Sequence, residues 1–174
     1  KGPALLDWEF HLKGNARLML DAEPFLLINN SALINKTKIF IDNSSIFLAS
    51  DFLGHCFPNK VNYGSWKSEI KVYANDKELV LIDSQKASHQ SFARAGKVIG
   101  GYPSVGSIWL IAPEIDCLPI VKKLPNIDCQ IALAELKDGM GQVIRLIAND
   151  IGLLRNNIKK IYNSMKKEIE ELDH

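Results

Sequence analysis

The sequence has few cysteines and almost no net charge. Its 174 residues include three cysteines, and 21 Lys and Arg residues stand against 20 Asp and Glu residues, which leaves a formal net charge of +1. An odd, sparse set of thiols is unsuited to a disulfide framework and typical of a reducing cytosol, so we expect a cytoplasmic protein. The basic excess that is typical of nucleic-acid binding is missing, and we expect no nucleic-acid partner.

Long apolar runs and processing signals are also missing. No stretch approaches the roughly 18 consecutive apolar residues that a membrane span needs, so we expect a soluble chain without membrane contact. The sequence starts Lys1-Gly2-Pro3, without Met and without a signal-peptide pattern. With 47% apolar residues the chain can still bury a substantial core. Its length predicts one domain over residues 1–174.

No complete catalytic or phosphate-binding motif is present. Residues 96–106 are rich in glycine but lack the Gly-x4-Gly-Lys-Ser/Thr order of a phosphate-binding loop. Residues 101–106 are similar to a nucleophile elbow, but they contain one residue too many and Pro103 disturbs the tight turn. These absences favour a protein that is not an enzyme.

The best candidate metal ligands are the neighbours His55 and Cys56. They belong to Gly54-His55-Cys56-Phe57-Pro58, which follows a predicted strand. Imidazole and thiolate are both good ligands for Zn, Ni or Cu ions. Two adjacent ligands rarely complete a site, and no Cys-x2-Cys or His-x3-His pair accompanies them, so a plain loop is the alternative interpretation.

Alternation of apolar and polar residues predicts strands through the first two thirds of the chain. The clearest alternation is at 66–73, which a turn connects to 78–82 in a predicted hairpin. The sequence predicts further strands at 6–12, 36–41, 46–49, 107–112, 127–136 and 142–148. The segment 107–112 is apolar throughout, which is typical of a strand buried on both faces.

The last part of the chain has a helical pattern. Apolar residues recur at helical spacing and form one face: Ile151, Leu154, Ile158, Ile161, Met165, Ile169 and Leu172. This spacing predicts a helix over about 150–172 that packs on the sheets, with Lys159 and Lys166 exposed. A shorter helix is predicted over 113–123. The predicted fold is mainly β: stacked β-sheets, β-helix-like or sandwich-like, closed by C-terminal α-helices.

An ordered series of segments resembles the UreD (UreH) family of urease accessory proteins. Residues 15–27 are similar to a family stretch in which a strand reaches a Pro-containing bend. Residues 36–54 are similar to the two strands before the family's Gly-Arg loop, and 63–83 to the hairpin that follows. Residues 142–148 resemble the strand that enters the last helix. The resemblance covers nearly the whole chain, which we expect to be roughly the last two thirds of such a protein, without its N-terminal strands.

One loop departs from the family pattern. Gly54 is kept, but His55 stands where the family has Arg, and Lys60 falls near an expected Glu. The Glu-to-Lys change inverts a charge in a part of the family that is implicated in nickel passage. The departure either removes metal handling from this loop or moves it onto His55 and Cys56.

The resemblance implies a urease maturation chaperone, a non-catalytic scaffold that acts in nickel insertion. Proteins of this family bind the helical accessory protein UreF, and through it the GTPase UreG, and dock the complex on apo-urease. The implied partners are therefore UreF, UreG and apo-urease, with nickel bound transiently.

Two alternatives stay open on the residues alone. One is a small β-rich ligand-binding domain with a pocket lined by Trp8, Trp66 and Trp109. The other is a metal-dependent enzyme that uses His55 and Cys56, which would need further ligands.

Overall fold

A computed structural model describes residues 2–26, 31–54, 64–75, 78–88, 104–124 and 129–172. These ranges contain ten strands, two α-helices and the single 3-10 turn Lys137–Gly139. The strands are β1 (Ala4–Leu12), β2 (Arg17–Leu20), β3 (Phe25–Leu26), β4 (Ala32–Ile41), β5 (Ile46–Gly54), β6 (Ser65–Ala74), β7 (Glu78–Ser88), β8 (Ser104–Ile111), β9 (Gln130–Glu135) and β10 (Gly141–Ala148). The helices are α1 (Cys117–Lys123) and α2 (Ile151–Glu171).

The strands form two stacked sheets. Sheet A has the order β1-β4-β6-β7, and sheet B has the order β2-β5-β8-β10-β9, with β3 also paired to β5. The strands β1, β4 and β6 are parallel in sheet A, as β2 and β5 are in sheet B. The chain therefore passes from one sheet to the other in successive coils. The predicted mainly β fold of stacked sheets with C-terminal helices is confirmed, and its parallel part is β-helix-like.

The polar turn at 42–45 connects the two sheets. It follows β4 of sheet A and precedes β5 of sheet B, and these two strands do not pair with each other. The Asp42 carboxylate accepts hydrogen bonds from the N–H groups of Gly14 at 2.8 Å and Ser44 at 3.1 Å. Because Gly14 belongs to the turn after β1, the first of these bonds holds one turn of the coil against the next, whereas the Ser44 bond is local to the turn.

Two antiparallel hairpins complete the sheets as the sequence predicts. One consists of β6 and β7, and the other of β9 and β10. At the second hairpin Asp138 and Gly139 have φ values of 56° and 66°, and glycine adopts this left-handed conformation without a steric penalty. Strand β8 lies between β5 and β10. It is buried on both faces because Ile108 and Leu110 pack with residues of α2, and Trp109 and Ile111 pack with residues of sheet A.

The two helices cover the outer face of sheet B and make the structure three layers thick. Ile158, Ile161 and Met165 of α2 are fully buried, as their spacing predicts. They pack against strand residues such as Leu48 and Ile108. The shorter helix α1 begins later than predicted, because the side chain of Asp116 caps it by accepting the N–H of Leu118 at 2.9 Å. Neither helix of the described ranges is long and apolar enough to cross a membrane.

One expected exposure on α2 is wrong. Lys166 is exposed, but the side chain of Lys159 is only 24% exposed and its Nζ lies 2.6 Å from a carboxylate oxygen of Asp21. Arg155, one turn earlier, donates two hydrogen bonds to Glu23 at 3.0 and 3.1 Å. The helix is therefore held to the segment after β2 by ion pairs as well as by its apolar face.

Strand β1 is also more exposed than its alternating pattern predicts. Trp8 is 50% exposed although it points to the inner side of sheet A. The reason is topological: β1 is the edge strand of sheet A, and no described strand lies beyond it. The interior of the structure is open at this edge.

The packing of α2 gives a first prediction. Replacing Ile161 by Asp places a charge in a fully buried apolar site and should lower the free energy of unfolding by about 3 kcal/mol. The exposed neighbour Asn163 is the matched control, and Asn163→Asp should change stability by less than about 0.5 kcal/mol. Chemical denaturation measures both. Equal stabilities of the two variants would show that α2 does not pack through Ile161.

Candidate functional site between the two sheets

The predicted metal ligands His55 and Cys56 lie outside the described residues, as does Lys60. In sequence, His55 and Cys56 follow Gly54, the last residue of β5. A Cβ atom on Gly54 would lie 2.2 Å from Cδ1 of Ile151, so this end of β5 is packed directly on the first turn of α2. Within the described ranges, no group of three or more His, Cys, Asp or Glu side chains is placed to hold a metal ion.

A band of polar side chains crosses the interior between the two sheets. We refer to it as the polar row, and its members are Asn35, Asp51, Ser68, Asp83, Gln85, Ser107 and Arg145. Strand register places these residues side by side. In sheet B, Asp51 is opposite Ser107, which is itself opposite Arg145. In sheet A, Asn35 is opposite Ser68, which is opposite Gln85.

One end of the polar row is a closed network around Asp83. The indole N–H of Trp109 donates to this carboxylate at 2.7 Å, and the guanidinium of Arg145 forms an ion pair with it. Arg145 also donates to the hydroxyl of Ser107, which accepts a second hydrogen bond from Gln85 at 3.1 Å. Because Asp83 and Gln85 are on β7, and the other members are on β8 and β10, the network joins sheet A to sheet B.

The other end of the row is the carboxyl group of Asp51. One oxygen, Oδ2, accepts a hydrogen bond from the Ser68 hydroxyl at 3.1 Å. The other, Oδ1, is buried and has no hydrogen-bond partner among the residues that the structure describes. Burial raises the pKa of Asp51 to about 6, although hydrogen bonds from the Ser68 hydroxyl and the backbone N–H of Phe52 and the charge of Arg145 act to lower it. A carboxylate without an ion-pair partner among the described residues is costly to bury, so packing alone does not account for an acidic residue here.

The polar row divides the apolar interior into two clusters. The larger contains Ile39 and Val72 of sheet A with Phe47 of sheet B. The smaller contains Leu53 of sheet B with Trp66 and Ala87 of sheet A. Each cluster joins the two sheets independently, so the polar groups between them are held in a fixed environment.

The Asp51 end of the row opens into a cavity of about 310 Å³ beside the edge strand β1. Its apolar walls combine aliphatic side chains with five aromatic ones: Trp8, Phe10, Phe25, Phe47 and Trp109. Its polar lining includes Asn35, Thr37, Ser68 and Asp51. The cavity combines apolar walls with one buried acidic group, which is the usual composition of a small-molecule site.

The sequence suggested a pocket lined by three tryptophans, and two of the three line the observed cavity. Trp8 and Trp109 line the cavity, whereas Trp66 is buried in the smaller cluster with Leu53 and Ala87. Trp66 lies two residues before Ser68 on the inner face of β6, on the far side of the polar row from Ile70. Its side chain therefore fills space between the sheets and does not reach the cavity.

Sequence reasoning missed the polar row, although one signal for it exists. Asp51 lies in β5, where all nine residues are buried. A single acidic residue in such a strand indicates a site. The pairing of Asp83 with Arg145 has no comparable signal, because the two residues are 62 positions apart in sequence.

Comparison with known proteins places the chain among accessory proteins of urease. A profile of the UreD urease accessory protein family matches residues 1–173, and the chain belongs to this family. It is similar to the urease accessory protein UreD of Bacillus sp. (strain TB-90), with 22% identity over 181 aligned residues. The alignment covers 97% of this chain and 65% of the relative, so the chain spans about two thirds of the length of that protein.

The raised pKa of Asp51 predicts how its replacement changes stability with pH. Since the pKa of about 6 in the fold lies above the usual value near 3.9, stability is lost as the pH rises from about 4 through 6. Asp51→Asn should therefore raise the free energy of unfolding at pH 8 by about 1–3 kcal/mol and change it little at pH 4.

Denaturation curves at pH 4, 6 and 8 measure this difference. The exposed Asp7→Asn makes the same change in net charge and should show no such pH dependence. If Asp51→Asn is destabilised equally at all three pH values, the carboxylate contributes favourably to the fold.

Proposed function

We propose that this protein is a urease maturation chaperone, a non-catalytic scaffold that docks an accessory complex on apo-urease for nickel insertion. The observation that carries the proposal is the family match over residues 1–173. The proposed partners are UreF, UreG through UreF, and apo-urease, and the proposed location is the cytoplasm. An accessory role of this kind requires stable surfaces for other proteins and no chemistry of its own.

The outer face of sheet A supports a docking role. The rings of His11, Phe40 and Tyr73 stack across β1, β4 and β6, with centroids 4.7 and 5.1 Å apart. Pairs of opposite charge lie on the same face, including Lys71 with Glu69 at 2.9 Å. An ordered strand surface that combines aromatic rings with charges suits specific contacts with a protein partner.

Co-purification tests the scaffold role. The tagged protein, expressed together with UreF, UreG and apo-urease, should recover all three. When UreF is omitted, UreG should be lost, because the proposed contact to the GTPase runs through UreF. The pure chain should not bind GTP in calorimetry, since its sequence has no phosphate-binding loop of the Walker type. Micromolar GTP binding, or failure to recover UreF, would contradict the proposal.

We further propose that His55 and Cys56 bind nickel weakly, as cargo that is later released. Ni(II) accepts mixed nitrogen and sulfur ligands, and two ligands that are adjacent in the sequence give only a weak site. The positive charge of Lys60, five residues after His55 in the sequence, should weaken nickel binding further. Binding should decline below about pH 6, because the imidazole of His55 then becomes protonated.

The double variant His55→Ala/Cys56→Ala should abolish nickel binding in equilibrium dialysis at pH 7.5. The matched control is His11→Ala/Cys129→Ala, which removes one imidazole and one thiol elsewhere and should leave binding intact. Unchanged nickel affinity in the first variant would place the ion at other residues.

A further inference from the structure

We propose that the cavity at the Asp51 end of the polar row binds an alkylammonium group, supplied by a free aliphatic amine or by a lysine side chain. This proposal is independent of the role in urease maturation. It is based on two acceptor oxygens without donors among the described residues, on aromatic side chains in the walls and on the size of the cavity.

The two unsatisfied acceptors lie close together in the fold. Oδ1 of Asp51 and Oδ1 of Asn35 are both buried, both residues line the cavity, and neither oxygen has a hydrogen-bond partner among the described residues. Asn35 is opposite Ser68 in sheet A, and Ser68 donates to the other oxygen of Asp51. Buried acceptors are normally satisfied, so the two oxygens are suited to accept hydrogen bonds from one ligand with at least two donors.

The charge of the site favours a cation as the donor. Among the described residues Asp51 has no ion-pair partner, and Arg145, the nearby cation of the polar row, is already bound to Asp83 and Ser107. An ammonium group supplies a positive charge together with up to three N–H donors. It could satisfy Asp51 and Asn35 at once.

The walls of the cavity suit an organic cation better than a metal ion. Trp8, Phe25 and Trp109 present aromatic rings, which attract an ammonium group through their faces and pack against methylene groups. A divalent ion requires several oxygen ligands, usually with more than one carboxylate, and the described lining contains a single carboxylate. A volume of about 310 Å³ equals roughly ten water molecules at about 30 Å³ each, which accommodates a chain of several carbons.

The test compares butylammonium with 1-butanol, a neutral molecule of similar size, by NMR titration of the tryptophan indole signals of the whole chain. At pH 7.5 butylammonium should bind at least tenfold more tightly than 1-butanol. Asp51→Asn should remove this preference, and Asn35→Ala should weaken butylammonium binding several-fold. The exposed variant Asp7→Asn should behave like the wild type.

Lysine blocked at both backbone ends is the second ligand. If blocked lysine binds more tightly than butylammonium, a protein side chain is the source; the reverse order indicates a free amine.

Protonation of Asp51 should weaken butylammonium binding about tenfold between pH 7.5 and pH 5, since burial raises the pKa of this group to about 6. The charged groups that act on Asp51 from neighbouring strands are Asp83 on β7 and Arg145 on β10. Equal binding of butylammonium and 1-butanol overturns the proposal. If the Asp51→Asn and Asn35→Ala variants both discriminate between butylammonium and 1-butanol as well as the wild type does, the proposal is also overturned.

Discussion

The contact of Asp83 with Arg145 and Trp109 determines how the two sheets are aligned. Its members come from β7 in sheet A and from β8 and β10 in sheet B, and the Asp83 side chain is only 6% exposed. Loss of Arg145 would be costly, because the buried Asp83 carboxylate would then stay without a compensating charge. The sheets are therefore restricted to the one relative position in which Arg145 and Trp109 both reach Asp83.

That alignment also fixes the opposite end of the polar row. With β7, β8 and β10 held together, Asp51 of β5 faces Ser68 of β6 across the interior, and the space next to them is open toward β1. The carboxyl group of Asp51 is buried without an ion-pair partner in the described part of the chain, which lowers stability at neutral pH. Proteins retain such costly groups mainly where function requires them, which is why this end of the row is the candidate site.

Much of the fold follows from sequence periodicity, because local patterns determine the faces of isolated elements. The hairpin of β6 and β7 and the buried face of α2, with Ile158 and Met165, follow from periods of two and of 3.6 residues. The assignment of β4 and β5 to different sheets does not follow from periodicity, because a turn at 42–45 is compatible with a hairpin or with a crossing between sheets. Only the parallel pairing of β4 with β1 distinguishes the crossing from the hairpin.

The candidate site was much less predictable than the fold. The sequence suggested Trp8, Trp66 and Trp109 as pocket residues. Only the position of each residue relative to the polar row separates Trp8 and Trp109, which line the cavity, from Trp66, which does not. The half-buried position of Lys159 depends on Asp21, which is distant in sequence. Asp51 and Asn35 are brought together by pairing across β4, β5 and β6, and no single segment encodes that arrangement. The proposed nickel ligands His55 and Cys56 remain a prediction from the sequence.

The most direct test of the account is the titration of the Asp51 carboxyl carbon by ¹³C NMR, since the buried, uncompensated carboxylate is the basis of the candidate site. The account predicts a midpoint near pH 6 in the free protein, assigned by the loss of the signal in Asp51→Asn. It also predicts that saturating butylammonium moves the midpoint to lower pH, because a bound cation favours the ionised form. A midpoint at or below about 4, the ordinary value for an aspartate, would contradict the account, because it would show that Asp51 is already compensated or exposed to water.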